Sequence, residues 1–306
     1  MPEPQQAVMV TGASVEVETL RQGFNEGFAD YRYNMHMEAA AMRAYLRRSS
    51  IAPADCAVLV TKEHGRMQGV GAALLAVRGD EAWCGGLSVA PPFRGHGWGL
   101  RLMEQIKRRA VELGVRRILL EVLVANDHAR SVYRQIGFEN WRELLLWERD
   151  PRQGPLPLPY ERLEETDPGQ ILRDFYRWHE LPLTWQRGAR SLLNHVEQND
   201  CIGLTIPAKD GAPVAYVLIA RPPSVEPVTR LRIIDIAVDP NADLLDAARP
   251  LIQALQLRYV DAVLTLSDEP ADSRLNQIFA SLGFRVYDRQ NELVLDLTES
   301  PADTVI

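Results

Sequence analysis

The chain has 306 residues, 46% of them hydrophobic and 25% charged, with a formal net charge of −7. This length suits two domains better than one, and the acidic balance speaks against nucleic-acid binding. No stretch approaches the roughly 20 apolar residues a membrane span needs, and the opening MPEPQQAVMV lacks the basic and apolar regions of a secretory signal, so a cytoplasmic protein without membrane contact is expected.

The cysteines, Cys56, Cys84 and Cys201, are odd in number and form no C-x-x-C pair. Neither a disulfide framework nor a metal site is expected. Residues 1–150 carry a net charge of +1 and residues 151–306 one of −8. Only the first half has a balance suited to a polyanionic ligand, although an acidic face is commonly just a solvated one.

Asp55-Cys56 opens an apolar run, VLV, followed by a turn at Glu63-His64-Gly65 and a second run, VGAALLAV. This reads as a β-hairpin. LSVAP at 87–91 is a strand stopped by proline, and a helix-period segment follows with Leu102, Ile106, Ala110 and Leu113 on one face, ending at Gly114. RILLEVLV at 117–124 is β-rich, and VYRQIGF at 132–138 closes a short helix. The segment DPRQGPLPLP at 150–159 has four prolines and predicts an extended spacer. The pattern then repeats. Asp200-Cys201 opens IGLTI, Asp210-Gly211 turns into VAYVLIA, IAVDP at 236–240 matches LSVAP, and a helix runs from Leu244 to Leu257. AVLTLS at 262–267 and IFASLGF at 278–284 complete the second copy. The offset between copies stays between 145 and 149 residues. Shared order and near-constant offset favour duplication over two unrelated α/β halves. The expected organisation is a first domain at 1–150, a linker at 151–159 and a second domain at 160–306.

The sharpest chemical signal is LSVAPPFRGHGWG at 87–99. A strand ends at prolines, and a turn with Gly95, Gly97 and Gly99 leads into an amphipathic helix. Glycines permit positive φ and close approach of backbone to ligand. A helix N-terminus offers unpaired N–H groups and positive dipole, and Arg94 adds charge and a fork of donors. Together these make a pyrophosphate cradle. The spacing G-x-G-x-G is neither a P-loop nor the dinucleotide fingerprint. An ordinary tight turn needs neither three alternating glycines nor Arg94.

Arg94-x-x-Gly97-x-Gly99 resembles the acyl-CoA pyrophosphate signature of the GNAT superfamily of N-acetyltransferases. Asn126, Ala129, Tyr133 and Gly137-Phe138 resemble that family's second signature. The resemblance extends from about residue 15 to 149 and includes an N-terminal helix reading FNEGFADYRYNM. It implies an α/β (α+β) chain of two tandem GNAT folds, each a mixed, mostly antiparallel sheet flanked by helices. It implies that Leu87, Ser88 and Val89 face the thioester, where the fourth and fifth strands splay apart. Arg94, Gly95, His96, Gly97, Trp98, Gly99, Leu100, Asn126, Ser131 and Tyr133 would complete the acyl-CoA site, with acetyl-CoA as cosubstrate and no metal. Tyr133 would stand beside the leaving sulfur, transferring a proton only if its pKa is lowered. Glu81 and Glu121 are candidate general bases acting through water; each is as readily a plain surface carboxylate. His36, on the first helix, is placed to face the acceptor, and His96 and His128 flank the motifs as contact or solvent-facing residues. Cys84 reads as a buried thiol rather than a nucleophile.

In the second copy, aligning Pro91 with Pro240 puts Asp243 opposite Arg94, Asp246 opposite Gly97 and Ala248 opposite Gly99, and Phe279 stands where Tyr133 does. Carboxylates repel a phosphate, so the second copy is expected to keep the fold without the cofactor site. The resulting expectation is an acetyl-CoA-dependent transferase acting on a small-molecule primary amine, as monomer or homodimer. Acetylation of a protein N-terminus or lysine, or acyl-CoA binding without turnover, are the competing expectations.

Overall fold

A computed structural model describes residues 7–63, 65–152, 163–173, 175–179, 182–207, 213–222 and 228–298. The expected turns at His64 and at Asp210-Gly211, and most of the 151–159 linker, lie outside these residues. The chain forms two compact units, one of Met1–Trp141 with Glu292–Ile306, the other of Arg142–Asn291. The boundaries therefore differ from 150 and 160. Leu293, Leu295 and Leu297 pack in the core of the first unit, and Leu145 and Trp147 in that of the second. Both runs are apolar on both faces over most of their length, and it is the alternate residues of each that enter these cores.

The first unit begins with β1 (Ala7–Thr11), α1 (Val17–Gly27) and α2 (Ala39–Ser49). Next come β2 (Ala57–Glu63), β3 (Arg66–Arg78), β4 (Glu81–Val89), α3 (Trp98–Glu112), β5 (Arg117–Leu123) and α4 (Asp127–Ile136). The strand β6 (Glu139–Arg149) leads out of it. The sheet order is β1-β2-β3-β4-β5, antiparallel except for β4 and β5, with the chain's last strand beside β5. Helix α1 crosses the sheet at very close range. A Cβ at Gly23 would stand 2.5 Å from the Gly71 carbonyl oxygen, and one at Gly27 would stand 2.4 Å from the Ser88 side chain. The helix stops at Gly27, so residues 28–38, expected to be helical in part, leave it as a loop. Helix α3 buries Leu102, Met103, Ile106 and Ala110, while Leu113 sits exposed at its C-cap. There Gly114, at φ 74°, donates to Val111 O and Val115 to Ala110 O, which ends the helix.

The second unit holds β7 (Glu164–Thr166), α5 (Pro168–Arg173), α6 (Phe175–Trp178), α7 (Ala189–Glu197), β8 (Cys201–Pro207) and β9 (Pro213–Ala220). It continues with β10 (Arg230–Val238), α8 (Leu244–Arg258), β11 (Val263–Pro270), α9 (Leu275–Ser281) and β12 (Arg285–Asp296), whose end belongs to the first unit. Its sheet order is β6-β11-β10-β9-β8-β7, and β10/β11 is the parallel pair. The repeated Gly-Phe has one physical cause in both units. Phe138 N–H donates to Tyr133 O and Phe284 N–H to Phe279 O, each around a glycine at positive φ. Each phenylalanine ring then meets the aromatic ring five residues before it, at 5.8 and 5.3 Å. The cysteines are free and buried. No helix among the described residues is long and apolar enough to cross a membrane.

Candidate active site

In the first unit β4 and β5 pair only at Glu81–Arg117, Ala82–Ile118 and Trp83–Leu119. Beyond Trp83 the ladder stops, and the rest of β4 has an open edge on that side. The register of β3 against β4 shifts between Leu74–Gly86 and Leu75–Cys84, so Gly85 is an extra residue that bends β4 away. Leu87, Ser88 and Val89 lie on this divergent stretch; Ser88 is buried, its hydroxyl donating to Gly23 O.

At the wide end of the opening stands the N-terminus of α3. Gly97 is its N-cap, at φ 76°, with no side-chain cap, and Gly95 lies at φ 79°. The N–H groups of Trp98, Gly99 and Leu100 belong to the first turn, which has no acceptor within its own helix. A Cβ at Gly95, Gly97 or Gly99 would meet nothing within 4 Å. Gly99 is the informative one, because its φ is not positive and no neighbour crowds it. Neither backbone strain nor packing asks for glycine there. An open helix start with no side-chain cap has the donors and the room that the diphosphate of a CoA ester would need.

Arg94 is directed elsewhere. Its guanidinium donates twice to Asp30, at 2.7 Å each, and also to Gly27 O and Val89 O. Its fork fastens the turn to the end of α1, so the positive character of the cradle comes from backbone N–H groups. Nothing local in the sequence marks Asp30 as the partner of Arg94, 64 residues away. His96 is exposed, with Nδ1 against Arg94 O. Trp98 carries the Arg101 guanidinium 4.9 Å from its ring centroid.

On the far side of the opening α4 begins at Asn126, whose Oδ1 caps it by accepting from Ala129 N–H. His128 and Ser131 are exposed on this helix. Tyr133 is buried. Burial pushes its phenol well above its ordinary pKa, reinforced by Cys84, Tyr31 and Glu121, which are its electrostatic neighbours. Its hydroxyl has no hydrogen-bond partner among the described residues. Burial likewise pushes the Cys84 thiol up to about 12, which leaves it inert as a nucleophile. The two candidate carboxylates part company. Glu81 is held in an ion pair with Arg117 at the closed end of the strand pair. Glu121 lies two residues past the last ladder pair and accepts from the Trp83 indole N–H at 2.7 Å. His36 sits on the loop after α1, exposed, with Nε2 3.2 Å from Glu38. A cavity of about 530 Å³, walled by Phe28, Tyr31, Tyr33, Glu26 and His36 among others, opens beside this loop. It reaches β4 through Phe28, whose ring would stand 3.6 Å from a Cβ at Gly86.

The family model for the acetyltransferase (GNAT) family matches residues 18–138, a span that holds both motifs. Residues 18–138 belong to the GNAT family. The chain is similar to a tandem GNAT protein from the clavulanic acid biosynthesis pathway, at 16% identity and TM-score 0.67, covering 97% of this chain and 99% of that one. It is similar to a GCN5-related N-acetyltransferase from Sphaerobacter thermophilus, at 16% identity and TM-score 0.65, over 97% and 96%. It also matches the N-myristoyltransferase of Saccharomyces cerevisiae, at 13% identity and TM-score 0.63, over 97% and 80%. No curated protein sequence matches. At these identities the likeness is one of fold, and the fold is that of tandem GNAT proteins.

The second unit repeats the GNAT opening and fills it. The β10/β11 ladder ends at Ile233–Leu266, and a register shift follows at Ile233/Asp235. Arg187 is buried there. Its guanidinium donates to Asp235 on β10, at 2.9 and 3.0 Å, and to Glu269 on β11, bridging the two strands. Tyr216 donates to Asp235 at 2.6 Å, and His179 Nε2 lies 3.2 Å from it. Helix α8 is capped by Asp243, which accepts from Leu245 and Asp246 N–H. The connection from β10 to α8 is shorter than that from β4 to α3, so Asp243 takes the place of Gly97, not that of Arg94 as the proline alignment expects. Phe279 is fully buried at the position of Tyr133. A smaller cavity of about 240 Å³ remains at the mouth.

Proposed function

We propose that the first unit is an acetyl-CoA-dependent N-acetyltransferase acting on a primary amine of a small molecule. The observation that carries it is the uncapped, glycine-lined start of α3, set at the wide end of an opened β4/β5 ladder, with Tyr133 at the narrow end. The first-turn N–H groups of α3 would hold the diphosphate. The free edge of β4 from Gly86 to Val89 would pair with the pantetheine arm and polarise the thioester carbonyl, as backbone donors do in acyl transfer. The CoA ester supplies an activated acyl group and a good leaving thiolate.

The amine arrives through the cavity bounded by Phe28 and Tyr31 and gives its proton to solvent there. Direct attack forms the C–N bond, collapse of the tetrahedral species breaks the C–S bond and releases CoA as the thiolate, and the remaining extra proton on nitrogen passes to solvent water. With its pKa raised, Tyr133 remains a protonated phenol across the working range, so it donates a hydrogen bond to the departing sulfur rather than a proton. Glu121 is fixed by Trp83 at the floor of the opening, where it orients the indole; Glu81 is too far along β4 to take part.

Calorimetric titration with acetyl-CoA, followed by a thiol-release assay over a panel of small amines, tests this. One site per chain and release with at least one amine are expected. Absence of acetyl-CoA binding would overturn the proposal.

A further inference from the structure

We infer that Trp83 and Tyr45 form a fixed floor to the opening that restricts the transferred acyl group to about two carbons, an inference that rests on the first unit binding acyl-CoA as proposed. The ligand enters at α3, so whatever extends past the sulfur points down β4 toward the last ladder pair, Trp83–Leu119. Tyr133, beside the sulfur, has Cys84 and Glu121 as its near neighbours. Very little of the strand is left beyond that point.

What is left is filled. A Cβ at Gly85 would stand 2.6 Å from Cζ3 of Trp83, 3.0 Å from Cδ1 of Ile51 and 3.1 Å from the hydroxyl of Tyr45. A Cβ at Gly86 would stand 2.9 Å from Phe24, which is wholly buried. The rings press on bare backbone, so not even a methyl group fits between them and the bulge.

Two hydrogen bonds keep the floor in place. The Trp83 indole N–H reaches across the gap to Glu121 Oε2 at 2.7 Å. The Tyr45 hydroxyl donates to Gly85 O at 2.6 Å. Swinging either ring aside to admit a longer chain would leave Glu121 or the Gly85 carbonyl without that donor, a cost no aliphatic chain returns. An interior packed in this way does not yield gradually.

The test titrates the full-length protein with acetyl-, butanoyl- and hexanoyl-CoA. The wild type should bind acetyl-CoA about tenfold or more tightly than hexanoyl-CoA. Trp83→Ala should shrink that ratio to about threefold or invert it. Tyr45→Ala, on the surface helix α2, serves the same purpose should the tryptophan variant fail to fold. Tyr45→Phe keeps the ring and removes only its hydrogen bond to Gly85 O, so its ratio should fall between those of the wild type and Tyr45→Ala. Equal affinity of the wild type for all three esters would overturn the inference and leave the proposed function standing. So would an unchanged ratio in folded Trp83→Ala or Tyr45→Ala. A wild type that binds no CoA ester overturns both.

Discussion

Helices α3 and α8 follow the same strand in their respective units, and they begin in opposite ways. Helix α3 starts on Gly97 with no side chain over its first N–H groups, and α8 starts on Asp243 with its carboxylate already hydrogen-bonded to two of them. A helix start is an anion site until something occupies it. The second unit has supplied its own anion. It has also drawn its strands together through Arg187 and replaced Tyr133 with Phe279. On the proposed function, cradle, slot and sulfur contact would each be removed by a separate change. The fold survives all three because none of those positions belongs to the hydrophobic core that holds the sheet and helices together, except Phe279, which remains an aromatic of nearly the same shape.

The comparison breaks most sharply if a carboxylate is moved into the first unit. Gly99→Asp places one in the first turn of α3, in open space and at an ordinary φ. Like-charge contact with a diphosphate costs several kcal/mol, so acetyl-CoA affinity should fall by about 10²-fold or more. Stability should hold or rise by about 0.3–1 kcal/mol, because an acid suits a helix N-terminus. Calorimetry and a thermal melt together check both halves. Unchanged affinity would show that α3 is not the cradle.

Tyr133→Phe makes the sulfur contact of the first unit that of the second. Turnover should drop by roughly 10²-fold, the scale of one hydrogen-bond donor aimed at a developing charge. Affinity for acetyl-CoA should stay within about twofold. Equal turnover in the variant removes Tyr133 from the chemistry. Because the raised pKa keeps the phenol protonated, the wild-type rate should show no limb from Tyr133 at or below pH 10.

The duplication, the order of elements along each copy and the glycine turn before α3 were legible in the sequence because each depends on local pattern: alternation, proline stops, residues of positive φ. The partner of Arg94 was not. Asp30 sits in a loop that looks helical from its residues, and only the close crossing permitted by Gly23 and Gly27 brings it to the turn. Nor was the exchange of ends legible, since Leu293, Leu295 and Leu297 read as the edge of whichever sheet lies nearest in sequence. Glu81 and Glu121 looked alike on paper. One ladder stopping at Trp83 separates them, and register is a tertiary fact.

Within the second unit the filled slot has an electrostatic cost that can be measured. Asp268 stands two residues past the last ladder pair, as Glu121 does in the first unit. Burial pushes its carboxyl from 3.8 up to about 6, against the opposing pull of Arg187 and Arg232. A raised carboxyl pKa means that stability is fully present below the unfolded value and is lost as pH rises through about 6. Asp268→Asn removes the charge and keeps the shape, and asparagine tolerates the φ of 62° found there. The variant should be more stable than wild type at pH 8, by up to about 3 kcal/mol, and the gap should close by pH 4. A gap equal at both pH values would show that Asp268 carries no burial penalty.

The smallest change addresses which of the losses in the second unit is sufficient. Asp243→Ala uncovers the start of α8 and should cost about 1 kcal/mol of stability through the lost cap. If the cap alone silenced this unit, uncovering it would create a second acetyl-CoA site. Arg187 still ties Asp235 to Glu269 across the β10/β11 opening, with all three side chains buried, so a pantetheine arm would have to displace a paired charge from the interior. The stoichiometry should therefore remain one per chain in Asp243→Ala. A rise to two would mean that the bridge opens freely and that the carboxylate cap is what keeps the second unit silent.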